Sequence, residues 1–411
     1  MISLSDFNYT LYDQNDRLSF LRQLIANFGN PDRNFKIIHV AGTNGKGSTA
    51  TMIARILAHH GYKVGLFTSP HIIDNCESIT VNGQKITIAQ MQHWIQKVVK
   101  VITAQLGLDP LKGISQFEIL FIVALLFFND QGVDYAILEC GLGGQTDATN
   151  AIKTSEYEIF THIALDHTGE LGDSLEKITV NKAGIIRAHS KVVVTPYQKE
   201  AVENILIQYG QRLNAELYFT ENLPSNKEIT FSATYQYANF ATVLKFFEIF
   251  NHGEILRKEC IHVIDHFELD GRFETINSSP RVILDCAHNP DGIQQFIESV
   301  NTQFTNTSKI IITGFLKDKN PDKCIKMLTS LDAHWIITEP DHSQRKYPAQ
   351  KLFDDAIKAS ENSNSTFEIQ PSPVQAYQTA LKECDKDTVI FIVGSFYLAR
   401  PILSFLRKEL S

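Results

Sequence analysis

Residues 39–49 read His-Val-Ala-Gly-Thr-Asn-Gly-Lys-Gly-Ser-Thr. They follow an apolar, strand-like segment (Lys36-Ile37-Ile38) and precede a stretch with Met52, Ile53, Ile56 and Leu57 at helical spacing. A strand, a glycine-rich turn and a helix in that order constrain this chain more than any other feature. The glycines, Gly42, Gly45 and Gly47, let successive backbone N–H groups turn toward an anion. The helix start adds further donors, and Lys46 a mobile positive charge. The hydroxyl of Ser48 or Thr49 is placed to reach a Mg²⁺ carried by a nucleotide. The spacing departs from the general phosphate-loop pattern, because Val40 stands where its first glycine belongs and Gly47 directly follows the lysine. A glycine-rich surface turn with a solvated lysine is the competing reading, and the flanking strand and helix weigh against it.

The 411 residues suffice for two domains, each with its own core. A net charge of −8 argues against nucleic acid or an anionic membrane as partner. The longest apolar run, Phe117 to Phe128, contains Glu118 and falls well short of the ~20 residues that span a bilayer. No basic segment opens the chain, so no secretory signal is expected. Six cysteines lie far apart with no CxxC pair, which reads as free thiols in a reducing, cytoplasmic setting.

Apolar strand-like runs at 36–41, 63–68, 134–139, 157–164 and 191–195 alternate with helical ones, including a buried helix over 117–131. The alternation restarts at 281–285, 309–313, 334–338 and 388–393. Near-continuous apolar strands separated by helices predict an α/β fold with parallel sheets covered on both faces. The expected organisation is an N-terminal phosphate-loop ATPase domain over 1–275 and a smaller Rossmann-like α/β domain over 276–411. Asn277-Ser278-Ser279-Pro280 is the expected linker.

In such a sheet the working groups gather at the carboxyl ends of neighbouring strands. Glu139 ends one candidate strand and is followed by Cys140-Gly141-Leu142-Gly143-Gly144, which suits a carboxylate for Mg²⁺. Leu165-Asp166-His167 is expected to end the next strand, and Lys182 follows fifteen residues later. Alone, His167 reads as structural or solvated and Lys182 as a surface charge. Beside Lys46, Ser48 and Glu139 they become parts of an ATP-dependent ligation site.

These stretches have a shared context. Phe28-Gly29-Asn30-Pro31, the phosphate loop, Thr68-Ser69-Pro70-His71, Phe117-Glu118, Glu139 to Asn150 and Leu165-Asp166-His167 run in order. Lys182 to Ile186, Tyr235-Gln236 with Asn239, and Gly271-Arg272-Phe273-Glu274 come next. Asp285 with Ala287-His288-Asn289-Pro290, then Asp318-Lys319 and Gly394-Ser395-Phe396-Tyr397, complete the series. In these motifs and their order the chain resembles the folylpolyglutamate synthase/dihydrofolate synthase family, ATP-dependent ligases related to the muramyl ligases.

The resemblance implies that Lys46 and the amides of Gly42 to Thr49 hold the β- and γ-phosphates of ATP. It implies Ser48 and Glu139 as ligands of one Mg²⁺ and His167 as ligand of a second, with K⁺ a further ion it admits. Lys182 matches a lysine that the family carbamylates. Arg272 would neutralise the γ-phosphate, Asp285 and His288 would contact ribose and phosphates, and Asn239 would read adenine. Ser69, Pro70 and His71 fall by the folate pocket, and Asp318, Lys319 and Ser395 on the glutamate side, in an interdomain cleft that domain closure would complete. The implied reaction activates a pteridine substrate's carboxylate as an acyl phosphate, which the amino group of L-glutamate then attacks. All implied partners are small molecules, and a monomer is expected.

Four positions depart from the family pattern: Ser78 and Gln145 replace arginines, while Ala233 and Cys286 replace glycines. They spare the phosphate and metal positions, so substrate preference is more exposed to them than activity. Two other readings stay open. One is a muramyl-type amino-acid ligase, opposed by the absence of a nucleotide-sugar domain before residue 36; the other is an ATP- or folate-binding protein without turnover.

Overall fold

The computed structural model describes residues 2–7, 17–107, 109–360 and 364–409. Its contacts divide the chain into two compact units, Met1–Ile229 with Ala238–Asp265, and Thr230–Tyr237 with His266–Ser411. This division differs from the boundary expected between 275 and 276, because the strand over 274–278 belongs to the second unit's own sheet.

The first unit is built on strands β1 (Lys36–Ala41), β2 (Val64–Phe67), β3 (Ile79–Val81), β4 (Gln84–Lys85), β5 (Tyr135–Glu139), β6 (Tyr157–Phe160), β7 (Lys191–Val194) and β8 (Glu216–Phe219). They form one sheet of order β4-β3-β2-β5-β1-β6-β7-β8. From β2 to β8 the pairings are parallel, and the β3–β4 hairpin closes one edge antiparallel. β5 and β6 are buried throughout and β1 from Ile37 onward, as expected of strands covered on both faces. In the β1–β5 register Val40 lies opposite Glu139, so that carboxylate ends one strand away from the glycine-rich turn.

The helix Gln116–Gln131 is buried at every residue from Glu118 to Phe128, the behaviour of a helix apolar all round. Ser115 and Glu118 form a capping box at its start, and Gly132 ends it in the left-handed region at φ 62°. A carboxylate so enclosed needs a partner, and Arg17 supplies a two-pronged one, at 2.8 and 2.6 Å.

The second unit carries β9 (Glu274–Ser278), β10 (Arg281–Asp285), β11 (Ser308–Thr313), β12 (His334–Ile337), β13 (Thr366–Ile369) and β14 (Thr388–Val393), in the order β13-β12-β11-β14-β10-β9. All pairings are parallel except β9–β10. The core packs Ile293 and Phe296 of the helix Pro290–Gln303 together with Phe391 of β14 and Trp335 of β12.

Three expectations are corrected. The segment taken as linker is a β9–β10 hairpin, with Asn277 Nδ2 donating to the Pro280 carbonyl at 3.0 Å. The strand expected over 157–164 stops at Phe160, so Leu165-Asp166-His167 lies in a loop beyond it. Finally, β3, β4, β8, β9 and β13 give no apolar run: they are short and sit at or beside sheet edges, where β8, β9 and β13 keep part of their surface exposed.

Candidate active site

Gly42 leaves β1 at φ 153° and Gly45 turns at φ 89° to become the N-cap of the helix Lys46–His59. Both are held close on the outside. An ideal Cβ on Gly42 would fall 1.9 Å from Thr161 Oγ1, and one on Gly45 would fall 2.3 Å from Asn239 Oδ1. The loop is laced to the segment after β6: the N–H groups of Thr43 and Asn44 both donate to the His162 carbonyl, at 2.7 and 3.3 Å. The Thr43 hydroxyl bonds both the N–H and the carbonyl of Ala164, each at 3.0 Å. The amides of Lys46, Gly47 and Ser48 open a fourteen-residue helix, whose dipole adds to their attraction for an anion.

Lys46 Nζ donates to the Thr43 carbonyl at 3.2 Å and stands 4.0 Å from Glu139 Oε1. Glu139 is buried, and its Oε2 accepts from the Ser69 N–H at 3.0 Å. Thus the stretch expected beside the folate pocket reaches the same carboxylate as the phosphate loop. Lys182 is buried on the helix Leu175–Ala183, with Nζ donating to the Gly42 carbonyl at 2.7 Å. Burial, reinforced by the charge of Lys46, brings its ammonium down to about 7, while Cys140, Asp166 and Asp147 pull the other way.

The run Gly141 to Gly144 is glycine-rich because neighbours leave no room for a Cβ. On Gly144 one would fall 2.6 Å from the Lys182 carbonyl oxygen, and on Gly141 2.5 Å from the Phe117 ring. His167 has left-handed backbone (φ 50°), with its ring nitrogens 4.0 Å from Asp166 Oδ2 and 3.8 Å from Glu170 Oε2.

Sequence reasoning missed the groups that hold this arrangement. Asp147 Oδ2 accepts from the Leu142 N–H at 2.7 Å, and its Oδ1 accepts from the Thr149 N–H and hydroxyl. That hydroxyl lies 2.8 Å from His39 Nε2, which in turn sits 3.2 Å from Cys140 Sγ. Burial, with Arg187 adding its charge, keeps His39 neutral by lowering it to about 3. Asn181 Oδ1 accepts the Gly144 N–H at 3.0 Å. Its place beside Lys182 was the available signal.

In the second unit Asp285 ends β10, Lys319 follows β11 and Ser395 follows β14, so the carboxyl ends of three adjacent parallel strands carry them. Asp285 is buried and accepts from the Tyr235 hydroxyl at 2.8 Å and the Ala287 N–H at 2.7 Å. Burial raises its carboxyl above the usual range, against the opposing pull of Arg272. The Arg272 guanidinium lies 4.9 Å over the Phe396 ring, and His288 Nδ1 lies 2.9 Å from the Cys286 carbonyl. Asp318 forms a two-pronged pair with Arg345, at 3.1 and 2.6 Å, while Lys319 and Ser395 are buried.

Of the departures, Ser78 is buried and its carbonyl accepts the Thr68 N–H at 3.0 Å. Gln145 is exposed and Cys286 is buried. Ala233 is buried without a positive φ, so its methyl group costs no backbone strain.

Whether the first unit suits a divalent ion and phosphates can be tested on its donors. Glu139 and Ser48 offer the hard oxygens that Mg²⁺ and Mn²⁺ take. An ideal Cβ on Gly47 would stand 3.4 Å from Glu139 Oε2, placing the helix start directly against that carboxylate. Thr49 Oγ1 is buried without a hydrogen-bond partner. The residues fit.

Sheet, loop and carboxylate together have the form of a phosphate-loop nucleotide-binding site. Residues 271–396 match the Mur ligase, glutamate ligase domain. A dihydrofolate synthase/folylpolyglutamate synthase of Bacillus subtilis is 31% identical over 96% of this chain and 94% of its own length. The folylpolyglutamate synthase of Mycobacterium tuberculosis, solved with ADP and AMPPCP, superposes with a TM-score of 0.84 at 25% identity, covering 96% of each chain. The bifunctional enzyme of Yersinia pestis, solved with AMPPNP and a Mn ion, gives 0.82 at 25% identity over 97% of this chain and 95% of that one. The chain belongs to the folylpolyglutamate synthase/dihydrofolate synthase family.

Proposed function

We propose that this protein uses ATP to join L-glutamate to the carboxylate of a reduced folate, and that the same chemistry serves dihydropteroate. The observation that carries this reading is the convergence of Lys46, Ser69 and Glu139 at the glycine-rich turn, with Lys182 bonded to the turn itself.

The acceptor carboxylate is a poor electrophile. Its oxygen attacks the γ-phosphorus, the bond to the β,γ-bridging oxygen breaks, and ADP leaves. Lys46 and the amides at the helix start hold the charge spreading over the transferred group. Ser48 and Glu139 would hold one divalent ion and His167 a second, supplying Lewis-acid charge at the phosphates. The glutamate amine then attacks the acyl carbon, loses its proton, and expels phosphate to leave an amide. Arg272, Asp285 and His288 are proposed to contact the nucleotide, Asn239 the adenine, and Asp318, Lys319 and Ser395 glutamate.

Lys182 is proposed to be carbamylated. Only a neutral amine attacks CO₂, and a lysine brought down to about 7 has a substantial neutral fraction near neutrality. The N–C bond forms, a proton departs, and a cation becomes an anion.

The mechanism is tested with an acceptor whose carboxylate oxygens are ¹⁸O-labelled. One labelled oxygen is expected in the released phosphate. Phosphate free of label would exclude the acyl phosphate.

A further inference from the structure

At the amino end of β12, opposite the end of the sheet that bears Asp285 and Ser395, three metal-ligating side chains converge. His334 begins β12, Glu368 lies on the edge strand β13, and Glu383 is the last residue of the helix Pro373–Glu383. The β12–β13 register pairs His334 with Thr366, so Glu368, two residues on, shares that residue's face. One donor atom from each of the three lies within 4.8 Å of the other two.

Two details separate this cluster from an ordinary surface ion pair. Thr366 Oγ1 lies 2.7 Å from His334 Nδ1 and fixes the ring, as outer-shell partners do for metal-binding histidines. Nε2 is inaccessible to solvent and makes no hydrogen bond, although Glu383 Oε2 is only 3.0 Å away. The ring as a whole is 27% exposed and Glu383 45%, so Nε2 is an enclosed donor atom set beside a carboxylate that solvent still reaches. Glu368 Oε1 accepts from Gln370 Nε2 at 3.2 Å, which steadies the second carboxylate.

We propose that His334, Glu368 and Glu383 form a divalent transition-metal site, taking Zn²⁺ with solvent in the fourth position. An imidazole and two carboxylates form a borderline donor set that suits Zn²⁺ better than Mg²⁺. Bonds of about 2.0–2.1 Å put tetrahedral ligands about 3.3 Å apart, so small side-chain rotations close the set. The ion would tie the edge strand β13 to β12 and to the helix end, a structural role independent of the proposed ligation.

The test titrates Zn²⁺ into chelator-stripped full-length protein in excess Mg²⁺, comparing wild type with Glu368→Gln, Glu383→Gln and His334→Gln. Wild type is expected to bind one equivalent that the variants bind about tenfold or more weakly. Zinc taken at Glu139 would appear equally in all four. Co²⁺ should give visible four-coordinate bands in wild type alone, and Zn²⁺ should raise the melting temperature of wild type alone. Melting without metal checks that the variants fold, and the two partly exposed glutamates provide variants should His334→Gln fail. Equal stoichiometry and equal Co²⁺ spectra across the set would overturn the proposal.

Discussion

Lys182 and Glu158 show what burial does to a charge in this protein. Burial brings the Lys182 amine down to about 7, which favours the neutral form that the proposed carbamylation needs. Lys182→Ala is expected to lose at least about a hundredfold in turnover, with partial recovery on adding a short-chain carboxylic acid. Wild-type turnover without rescue would remove its proposed role. Glu158 is buried beneath Ser155 and Ser190, and desolvation raises it from 4.5 to about 7 despite their hydrogen bonds. The unfolded chain ionises it near 4.5 and the folded one near 7, so its penalty grows across that window and is complete above it. Glu158→Gln should therefore stabilise the protein at pH 8, on the order of 2 kcal/mol, with the gain vanishing below pH 4.5. Urea unfolding at both pH values checks this, and a loss at pH 8 larger than at pH 4 would contradict it.

At the scale of elements, local pattern made the phosphate loop legible. Its glycines and lysine fall within six residues, and Gly42 and Gly45 take the positive φ that their residue type allows. The elements that shape the loop from outside were not legible. Thr161 presses on Gly42 and Asn239 on Gly45, contacts spanning long sequence separations. The chain from Asp147 through Thr149 and His39 to Cys140 joins residues about a hundred positions apart, beyond any periodicity. The edge strands β9 and β13 escaped for a different reason: with part of their surface exposed, they lack the apolar run that marks a buried strand. Gly144 offers a test of this packing. Gly144→Ala drives its Cβ toward the Lys182 backbone, and should cost about 1–3 kcal/mol while also lowering turnover. Denaturant melts and steady-state rates measured together check it. Unchanged values in both would mean that the helix carrying Lys182 is not held by this contact.

The whole molecule uses one architectural rule twice. Each unit carries a parallel-dominated sheet, and in each several residues singled out for chemistry lie at or follow the carboxyl ends of adjacent strands. These are Lys46 and Glu139 in the first and Asp285, Lys319 and Ser395 in the second, whereas Lys182 and Asn239 lie on helices and Arg272 precedes β9. Fold class, strand alternation and the strand-end positions could be read in advance because buried parallel strands write themselves as apolar runs ending in polar groups. The division at 265/266 by contacts, and the alliance of Thr230–Tyr237 with the second unit, could not. They depend on long-range bonds such as Tyr235 to Asp285 and Thr234 to Ser299. Among the described residues no helix is long and apolar enough to cross a membrane.

The central claim is ATP-driven amide formation between a folate-type carboxylate and glutamate. Its most direct measurement follows phosphate release and product mass with ATP, Mg²⁺, L-glutamate and either tetrahydrofolate or dihydropteroate. The account predicts phosphate released one-for-one with a product heavier by one glutamyl unit, and neither signal when glutamate or the pteridine acceptor is omitted. ATP binding without any glutamyl product from either acceptor would contradict it.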